Sequence, residues 1–208
     1  MNNDSYQKKI GILGGTFNPI HVGHLILGQN AMDLFGLDHV LIIPSGCSYF
    51  KDPAEIESSV HRLNMCREAI KDNDKFVLST VETDRPGNSY TYETLKLLIE
   101  EEAAHYYYIV GADTLMFMDT WKCPEEVFGK CTVVVSPRFG ADNDELINKI
   151  KELRNKFDAD IEIMEVPEVP ISSTMIRDML YKGLSCRYYI PDGALDYIRK
   201  NGLYRTDQ

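Results

Sequence analysis

Residues Ile12–Leu25, ILGGTFNPIHVGHL, join the end of an apolar run to a pair of glycines and then to two histidines. The run that begins at KKIGIL has the composition of a buried strand. Pro19 fixes the backbone where a helix can begin, and the pattern predicts a helix from about His21 or Val22. Residues three apart share a helix face, so we expect His21 and His24 to point the same way.

This strand, turn and helix start would suit a phosphate group. Gly14 and Gly15 let the backbone approach a ligand closely, and the first helical turn offers free N–H groups at the positive end of the helix dipole. The spacing fits neither a Walker loop, nor a GxGxxG fingerprint, nor HExxH zinc ligands. A structural alternative, in which both histidines cap the helix and bond to the backbone, stays open.

Outward from this stretch, apolar β-rich runs alternate with helix-period segments along the chain. Successive apolar positions in YYYIV and CTVVV are typical of strands that helices cover on both faces. We therefore predict an α/β fold with a doubly wound parallel sheet, as a single domain over residues 1–208. In such sheets ligands lie beyond the carboxyl ends of the strands.

Composition restricts the function classes. The 208 residues are 44% hydrophobic and carry a net charge of -10, which argues against a broad grip on a nucleic-acid polymer or an anionic membrane. A small anionic substrate could still bind in a local positive pocket. No apolar run has the length of a membrane span, and MNNDSYQKK lacks the apolar core of a signal peptide. These features predict a cytoplasmic protein.

The cysteine pattern predicts free thiols in a reducing compartment. The number is odd, the residues are scattered, and no CxxC pair occurs, so disulfides and a zinc site are poorly supported. The five residues are Cys47, Cys66, Cys123, Cys131 and Cys186.

A second helix start lies near the other end of the sequence, in ISSTMIR at 171–177. Ser172 and Ser173 are placed to cap a helix, with Arg177 one turn further on. This pattern favours another anion-binding helix start. The alternative is an ordinary cap followed by a solvated arginine.

Together, GGTFNPIHVGH and ISSTMIR resemble the two sequence marks of the nucleotidylyltransferase superfamily. HRLNM at 61–65, RPGNSYTYETL at 85–95, GADTL at 111–115, SPRFG at 136–140 and the ending YIPDGALDYIRKNGLY are similar to bacterial nicotinate-nucleotide adenylyltransferases. The resemblance covers nearly the whole chain and implies a Rossmann-like fold with a small C-terminal helical part. The chain departs from the family at Asn18, where Asp is usual, and at Ser48-Tyr49-Phe50-Lys51, where PPHK is common.

The resemblance implies transfer of the adenylyl group of ATP to nicotinate mononucleotide, giving nicotinate adenine dinucleotide and pyrophosphate in NAD biosynthesis. No protein nucleophile is needed, and Mg²⁺ would bind with ATP. Positioning and charge stabilisation would then carry catalysis, through imidazole N–H donors, helix N-termini and an arginine. The implied catalytic side chains are His21, His24 and Arg177. The implied ATP-binding set comprises these three with Gly14, Gly15, Thr16, Phe17, Ser172 and Ser173.

The implied mononucleotide-binding residues each keep an alternative. Asp113 would bind a ribose hydroxyl or serve as a helix N-cap. Trp121 would stack on the pyridine ring or pack in the core, and the sequence alone favours the core. Tyr90 and Thr91 open a helix whose N–H groups would bind the substrate carboxylate, unless Ser89 simply caps it.

Lys51 and Arg138 would contact phosphate or lie in solvent. His39, His61 and His105 are interpreted as structural or surface residues.

Several rival functions share these features. One is nucleotidylyl transfer to nicotinamide mononucleotide, pantetheine phosphate or glycerol phosphate, or transfer from CTP. A class I aminoacyl-tRNA synthetase also uses a paired-histidine motif, but 208 residues without a KMSKS-like loop argue against it. A non-catalytic nucleotide sensor is the rival of another class. An oligomer is compatible with the sequence.

Overall fold

The computed structural model describes residues 8–46, 56–137, 143–166 and 169–205. Three of the predicted features lie outside the described residues: Lys51 with the rest of the 48–51 segment, Arg138, and Cys47.

The described strands form a six-stranded parallel sheet in the order β3-β2-β1-β4-β5-β6. This is the doubly wound order, in which the direction of winding reverses between β1 and β4. The predicted fold class is confirmed. The strands are β1 Lys9–Gly15, β2 His39–Pro44, β3 Phe76–Leu78, β4 His105–Gly111, β5 Thr132–Ser136 and β6 Ile161–Ile163.

Eight α-helices connect and follow these strands in the described residues: α1 Val22–Phe35, α2 Ser59–Ile70, α3 Thr91–Glu101, α4 Ala112–Leu115, α5 Pro124–Phe128, α6 Asn143–Phe157, α7 Ser173–Tyr181 and α8 Asp192–Lys200. The helices α7 and α8 form the C-terminal helical part. The helix α4 ends at Leu115, and a separate 3₁₀ turn, Met118–Thr120, follows.

The short helix α5 was not predicted, although its signals are present. Pro124 stands at the first helical turn, and Glu125 and Glu126 place negative charge at the positive end of the helix dipole. Five residues are too few for a helix-period pattern to be recognised, so only these start signals could have identified it.

Apolar side chains bury the strands on both faces. Val133, Val134 and Val135 of β5 are fully buried. Gly11 in β1 is required by the close approach of neighbouring side chains, since a Cβ there would lie 2.8 Å from Leu37 Cδ1. This packing explains why the strand sequences are apolar at successive positions.

The described chain divides into two compact units, and three of the five boundaries between them along the chain fall inside β1, α1 and β2. The prediction of a single domain over residues 1–208 stays a prediction. No helix in the described ranges is long and apolar enough to cross a membrane. The first unit contains the described parts of Met1–Leu13, Leu27–Leu41 and Tyr90–Glu168, and the second those of Gly14–Ile26, Ile42–Ser89 and Val169–Gln208.

Candidate functional site

The loop that leaves β1 belongs to the second unit and has an unusual backbone. Gly14 and Gly15 are the last two residues of β1 rather than part of the predicted turn, and Thr16 leads into Phe17, which is buried and has a φ of 49°. A bulky residue with positive φ is rare, and a left-handed residue in a turn can orient successive N–H groups toward one side, where anions bind. The Asn18–Pro19 peptide bond that follows is cis. The predicted phosphate loop is therefore a tight turn that buries the Phe17 ring.

The two histidines of the opening motif lie face to face. The helix α1 begins at Val22, as predicted, and the ring centroids of His21 and His24 are 3.6 Å apart with an interplanar angle of 25°. The main-chain N–H of His21 donates to Nδ1 of His24 across 3.2 Å. A neutral imidazole that accepts at Nδ1 carries its hydrogen on Nε2. His24 is therefore set as an Nε2–H donor, and the Phe17 ring, edge-on at 5.0 Å, supports its orientation.

His21 is the more deeply buried of the pair, with only 5% of the residue exposed. Burial lowers the pKa of His21 from 6.5 to about 4, so the ring is neutral near pH 7. No hydrogen-bond partner reaches its buried Nδ1 within the described part of the chain. A Cβ at Gly23 would lie 3.1 Å from that nitrogen, so glycine leaves the ring its space. A ligand atom could satisfy this nitrogen.

The lowered pKa of His21 makes stability depend on pH. The unfolded chain takes a proton on this residue below about pH 6.5, whereas the folded chain resists it until about pH 4. The free energy of unfolding therefore loses about 2–3 kcal/mol from this residue between about pH 7 and 4.5. In His21→Asn this loss is absent, so urea unfolding at the two pH values should show a smaller acid-induced decrease than in the wild type. Equal decreases in both proteins would contradict the pKa assignment.

The start of α7 is bonded to the same loop. Ser172 is the N-cap, as predicted, and its Oγ accepts from the N–H of Met175 at 3.1 Å. The Oγ of Ser173 donates to the carbonyl of Pro19 at 2.8 Å.

Arg177 donates from Nη1 to the carbonyl of Asn18 at 2.8 Å and is half-buried. The alternative of a solvated Arg177 is therefore wrong, because the side chain packs on the loop. The two predicted phosphate-binding segments, which lie about 150 residues apart in sequence, are in direct contact.

Asn18 is buried, and two hydrogen bonds that its side chain accepts were not predicted. Its Oδ1 accepts from the Tyr204 hydroxyl at 2.7 Å and from the N–H of Glu57 at 3.2 Å. Burial raises the pKa of Tyr204, which keeps its phenol protonated and able to donate. Tyr204 lies 186 residues from Asn18 in sequence. Since the two residues are this far apart, no local pattern predicts the contact of Tyr204 with Asn18.

In the first unit, the helix α3 begins with Thr91 and has Tyr90 as its N-cap, without a side-chain cap hydrogen bond. The Oγ of Ser89 donates instead to the carbonyl of Glu82, at 3.5 Å, so the alternative of capping by Ser89 is wrong. The ammonium group of Lys122 lies 4.2 Å from the centroid of the Tyr90 ring. The start of α3 therefore combines helix N–H groups with a nearby positive charge.

Two further predicted residues of the first unit have environments that the sequence did not reveal. Asp113 is exposed in α4, whose N-cap is Gly111, so the N-cap alternative for Asp113 is wrong. Trp121 is half-buried and meets the Tyr108 ring edge-on at 6.0 Å. Trp121 is therefore not fully buried, and both alternatives, core packing and stacking on the pyridine ring, stay open.

Two of the remaining histidines bond to protein groups, and the described cysteines form no disulfide. His61 Nδ1 lies 3.0 Å from the Tyr197 hydroxyl, and His105 Nε2 lies 2.7 Å from Thr132 Oγ1. His39 is the first residue of β2. The described cysteines are free, as predicted: Cys66, Cys131 and Cys186 are buried and Cys123 is half-buried.

Comparison with known proteins identifies the family. A family model described as cytidylyltransferase-like matches residues 12–179. A Lachnoclostridium phytofermentans protein named "Probable nicotinate-nucleotide adenylyltransferase" is 38% identical over 95% of this chain and 99% of its own length. The chain belongs to the nicotinate-nucleotide adenylyltransferase family. A Synechococcus protein of the same name is 39% identical, with 97% of each chain covered.

Solved structures show the same fold. The nicotinic acid mononucleotide adenylyltransferase of Plasmodium falciparum, complexed with NaAD, superposes with a TM-score of 0.77 at 23% identity, covering 95% of this chain and 97% of that chain. A putative nicotinate-nucleotide adenylyltransferase from Vibrio parahaemolyticus gives a TM-score of 0.68 at 22% identity, with 96% and 97% covered. At these identities the comparison supports the Rossmann-like fold.

Proposed function

We propose that this chain transfers the adenylyl group of ATP to nicotinate mononucleotide. A phosphate oxygen of the mononucleotide attacks the α-phosphorus of ATP, the bond from that phosphorus to the bridging oxygen breaks, and pyrophosphate leaves. The observation that carries the proposal is the contact between Arg177 and the main chain of Asn18, which joins the late helix start to the histidine loop. Family membership supports the same reaction.

The ATP side of the reaction is assigned to the second unit. His24 would donate from Nε2 to the α-phosphate, where negative charge grows in the transition state, with neutral His21 stacked beside it. The N–H groups of the loop from Gly14 to Phe17 would bind phosphate oxygens. Ser172, Ser173 and Arg177 would hold the pyrophosphate end, because a helix start and a guanidinium both favour anions.

Mg²⁺ would enter with ATP. In the described residues no group of three His, Cys, Asp or Glu side chains is arranged to hold a metal ion. Mg²⁺ commonly keeps water ligands and binds substrate phosphates with few protein ligands, so the triphosphate itself would hold the metal. Bound there, it would neutralise charge on the phosphate oxygens.

The mononucleotide is assigned to the first unit and to residues beyond the described ranges. The N–H groups at the start of α3, beside Tyr90 and Thr91, would bind the nicotinate carboxylate. The accessible part of the Trp121 indole would cover the pyridine ring, and exposed Asp113 would bind a ribose hydroxyl. Lys51 and Arg138 are proposed as phosphate contacts from the sequence alone.

Acceptor choice tests this function. A carboxylate gains from the helix dipole and from charge-assisted hydrogen bonds, whereas the NH₂ of the amide would face N–H donors, a difference of about 1–3 kcal/mol. We expect kcat/KM for nicotinate mononucleotide to exceed that for nicotinamide mononucleotide by about 10–100-fold. Pyrophosphate release is measured with ATP and both mononucleotides, which differ only at this group.

The same assay separates the rival functions. Equal kcat/KM values would make the enzyme dual-specific and would remove the carboxylate site at α3. Pantetheine phosphate and glycerol phosphate belong in the panel, and CTP replaces ATP in a parallel arm. Turnover only with one of these, or no turnover with any acceptor, would overturn the proposed reaction. The cytoplasmic location stays a prediction that rests on the sequence.

A further inference from the structure

Arg62 in α2 is a buried arginine, with only 3% of the residue exposed. Its guanidinium donates to main-chain carbonyls of three separate segments. Nη1 donates to Thr16 at 2.9 Å, Nη2 to Ser45 at 2.8 Å and to Gly46 at 3.4 Å, and Nε to Glu57 at 3.0 Å. These segments are the loop after β1, the end of β2 and the residues before α2, all in the second unit.

This arrangement fixes backbone rather than side chains. A buried charge is costly unless it is hydrogen-bonded, so the carbonyls have to remain turned toward the guanidinium. A guanidinium has five donors in a rigid fork, whereas an ammonium group cannot span three segments in this way. Gly46 is itself held close to neighbouring backbone, since a Cβ there would lie 2.5 Å from the carbonyl oxygen of Glu82. The fork therefore ties the β1 loop to an anchored segment.

Orienting these carbonyls also orients N–H groups. In a trans peptide the C=O and N–H bonds point in opposite directions. The bond from Arg62 to the carbonyl of Thr16 therefore turns the N–H of Phe17 away from the guanidinium. In the same way, the N–H of Ser45 donates to the carbonyl of Gly15 at 2.8 Å, which sets the direction of the N–H of Thr16.

We propose that Arg62 is a positioning residue for ATP: its bond to the Thr16 carbonyl aims the N–H of Phe17 at the triphosphate, and its bond to the Ser45 carbonyl holds the residue whose N–H sets the direction of the N–H of Thr16. This inference rests on the proposed function, because it takes the loop after β1 as the ATP site. Arg62 touches backbone carbonyls and not the reacting atoms. Its loss is expected to weaken ATP binding selectively, since its bonds to the β1 loop are to the carbonyl that orients the N–H of Phe17.

The test compares Arg62→Lys with Arg67→Lys on the same helix. Arg67 is exposed and bonds to Asn64, so its replacement controls for the loss of an arginine from α2. Titration calorimetry with MgATP, without acceptor, should show an affinity about tenfold weaker for Arg62→Lys and unchanged for Arg67→Lys. KM for the mononucleotide should stay within about twofold of the wild-type value in both. Wild-type ATP affinity in folded Arg62→Lys, or equal loss for both substrates, would overturn the proposal.

A measurement on the wild type keeps the test decisive if Arg62→Lys does not fold. Backbone amide resonances of Thr16 and Phe17 should shift when MgATP is added, as expected for N–H groups that bind phosphate. Absence of a shift at both residues would overturn the inference. Turnover of ATP with nicotinate mononucleotide by the same protein would show that the proposed function stands even when the inference fails.

Discussion

His24→Ala should lower kcat by about 10²–10³-fold with little change in folding. The wild-type imidazole accepts from the main-chain N–H of His21 through Nδ1 and so presents Nε2–H. Alanine would remove the donor that is proposed to face the α-phosphate. Pyrophosphate release at saturating ATP and nicotinate mononucleotide measures kcat, and circular dichroism with thermal melting monitors folding.

A matched control for His24→Ala is His39→Gln, which replaces a half-buried histidine of β2 in the first unit. We expect its kcat to remain near that of the wild type. A His24→Ala protein that kept most of its kcat would remove this imidazole from the mechanism. A large loss in both variants would point to a general effect of histidine replacement on the fold.

The second large effect is expected at Arg177. Its Nη1 donates to the carbonyl of Asn18 and its Nη2 to Thr174 Oγ1 at 3.3 Å, so the guanidinium is fixed beside the loop. Arg177→Ala should lower kcat/KM for ATP by about 10²-fold, as for the loss of one preorganised donor to developing charge. Arg177→Lys should restore little, because lysine cannot hold the carbonyl and a phosphate with one planar fork.

Arg187→Lys serves as the control for Arg177→Lys, since Arg187 is exposed and lies over the Tyr188 ring. Its kcat/KM for ATP should be unchanged. Thermal melting separates the two roles of Arg177, because loss of the bond to Asn18 lowers stability without any ligand present. An Arg177→Lys enzyme with wild-type kcat/KM would place the charge outside the ATP site.

The parts of the fold that were predictable are those with a repeating local pattern. The runs YYYIV and CTVVV correspond to β4 and β5, and α1 begins at Val22, as expected. Short elements carry too few residues for such a pattern. The five-residue helix α5 and the three-residue 3₁₀ turn Met118–Thr120 are too short to be predicted in this way.

The residues of the candidate site that could be predicted are those whose side-chain type and spacing form a recognisable sequence motif. His21, His24 and Arg177 are reactive or charged types in a recognisable spacing, and the structure brings their segments together. The contacts of Arg62 and Tyr204 were not predicted, because Arg62 donates to main-chain carbonyls of three segments and Tyr204 to an amide 186 residues away, and no local pattern contains such partners. The partial exposure of Trp121 was also unpredictable, since burial depends on elements that a local pattern does not contain.

The residues that hold the loop before His21 are synthesised long after the loop itself. Ser173, Arg177 and Tyr204 follow their partners Pro19 and Asn18 by 154, 159 and 186 residues. At typical synthesis rates this separation corresponds to about 10–40 s during which the loop exists without those partners. A nascent chain therefore completes its proposed ATP site only when its last helices emerge, and partly made chains cannot hold the loop in its finished shape.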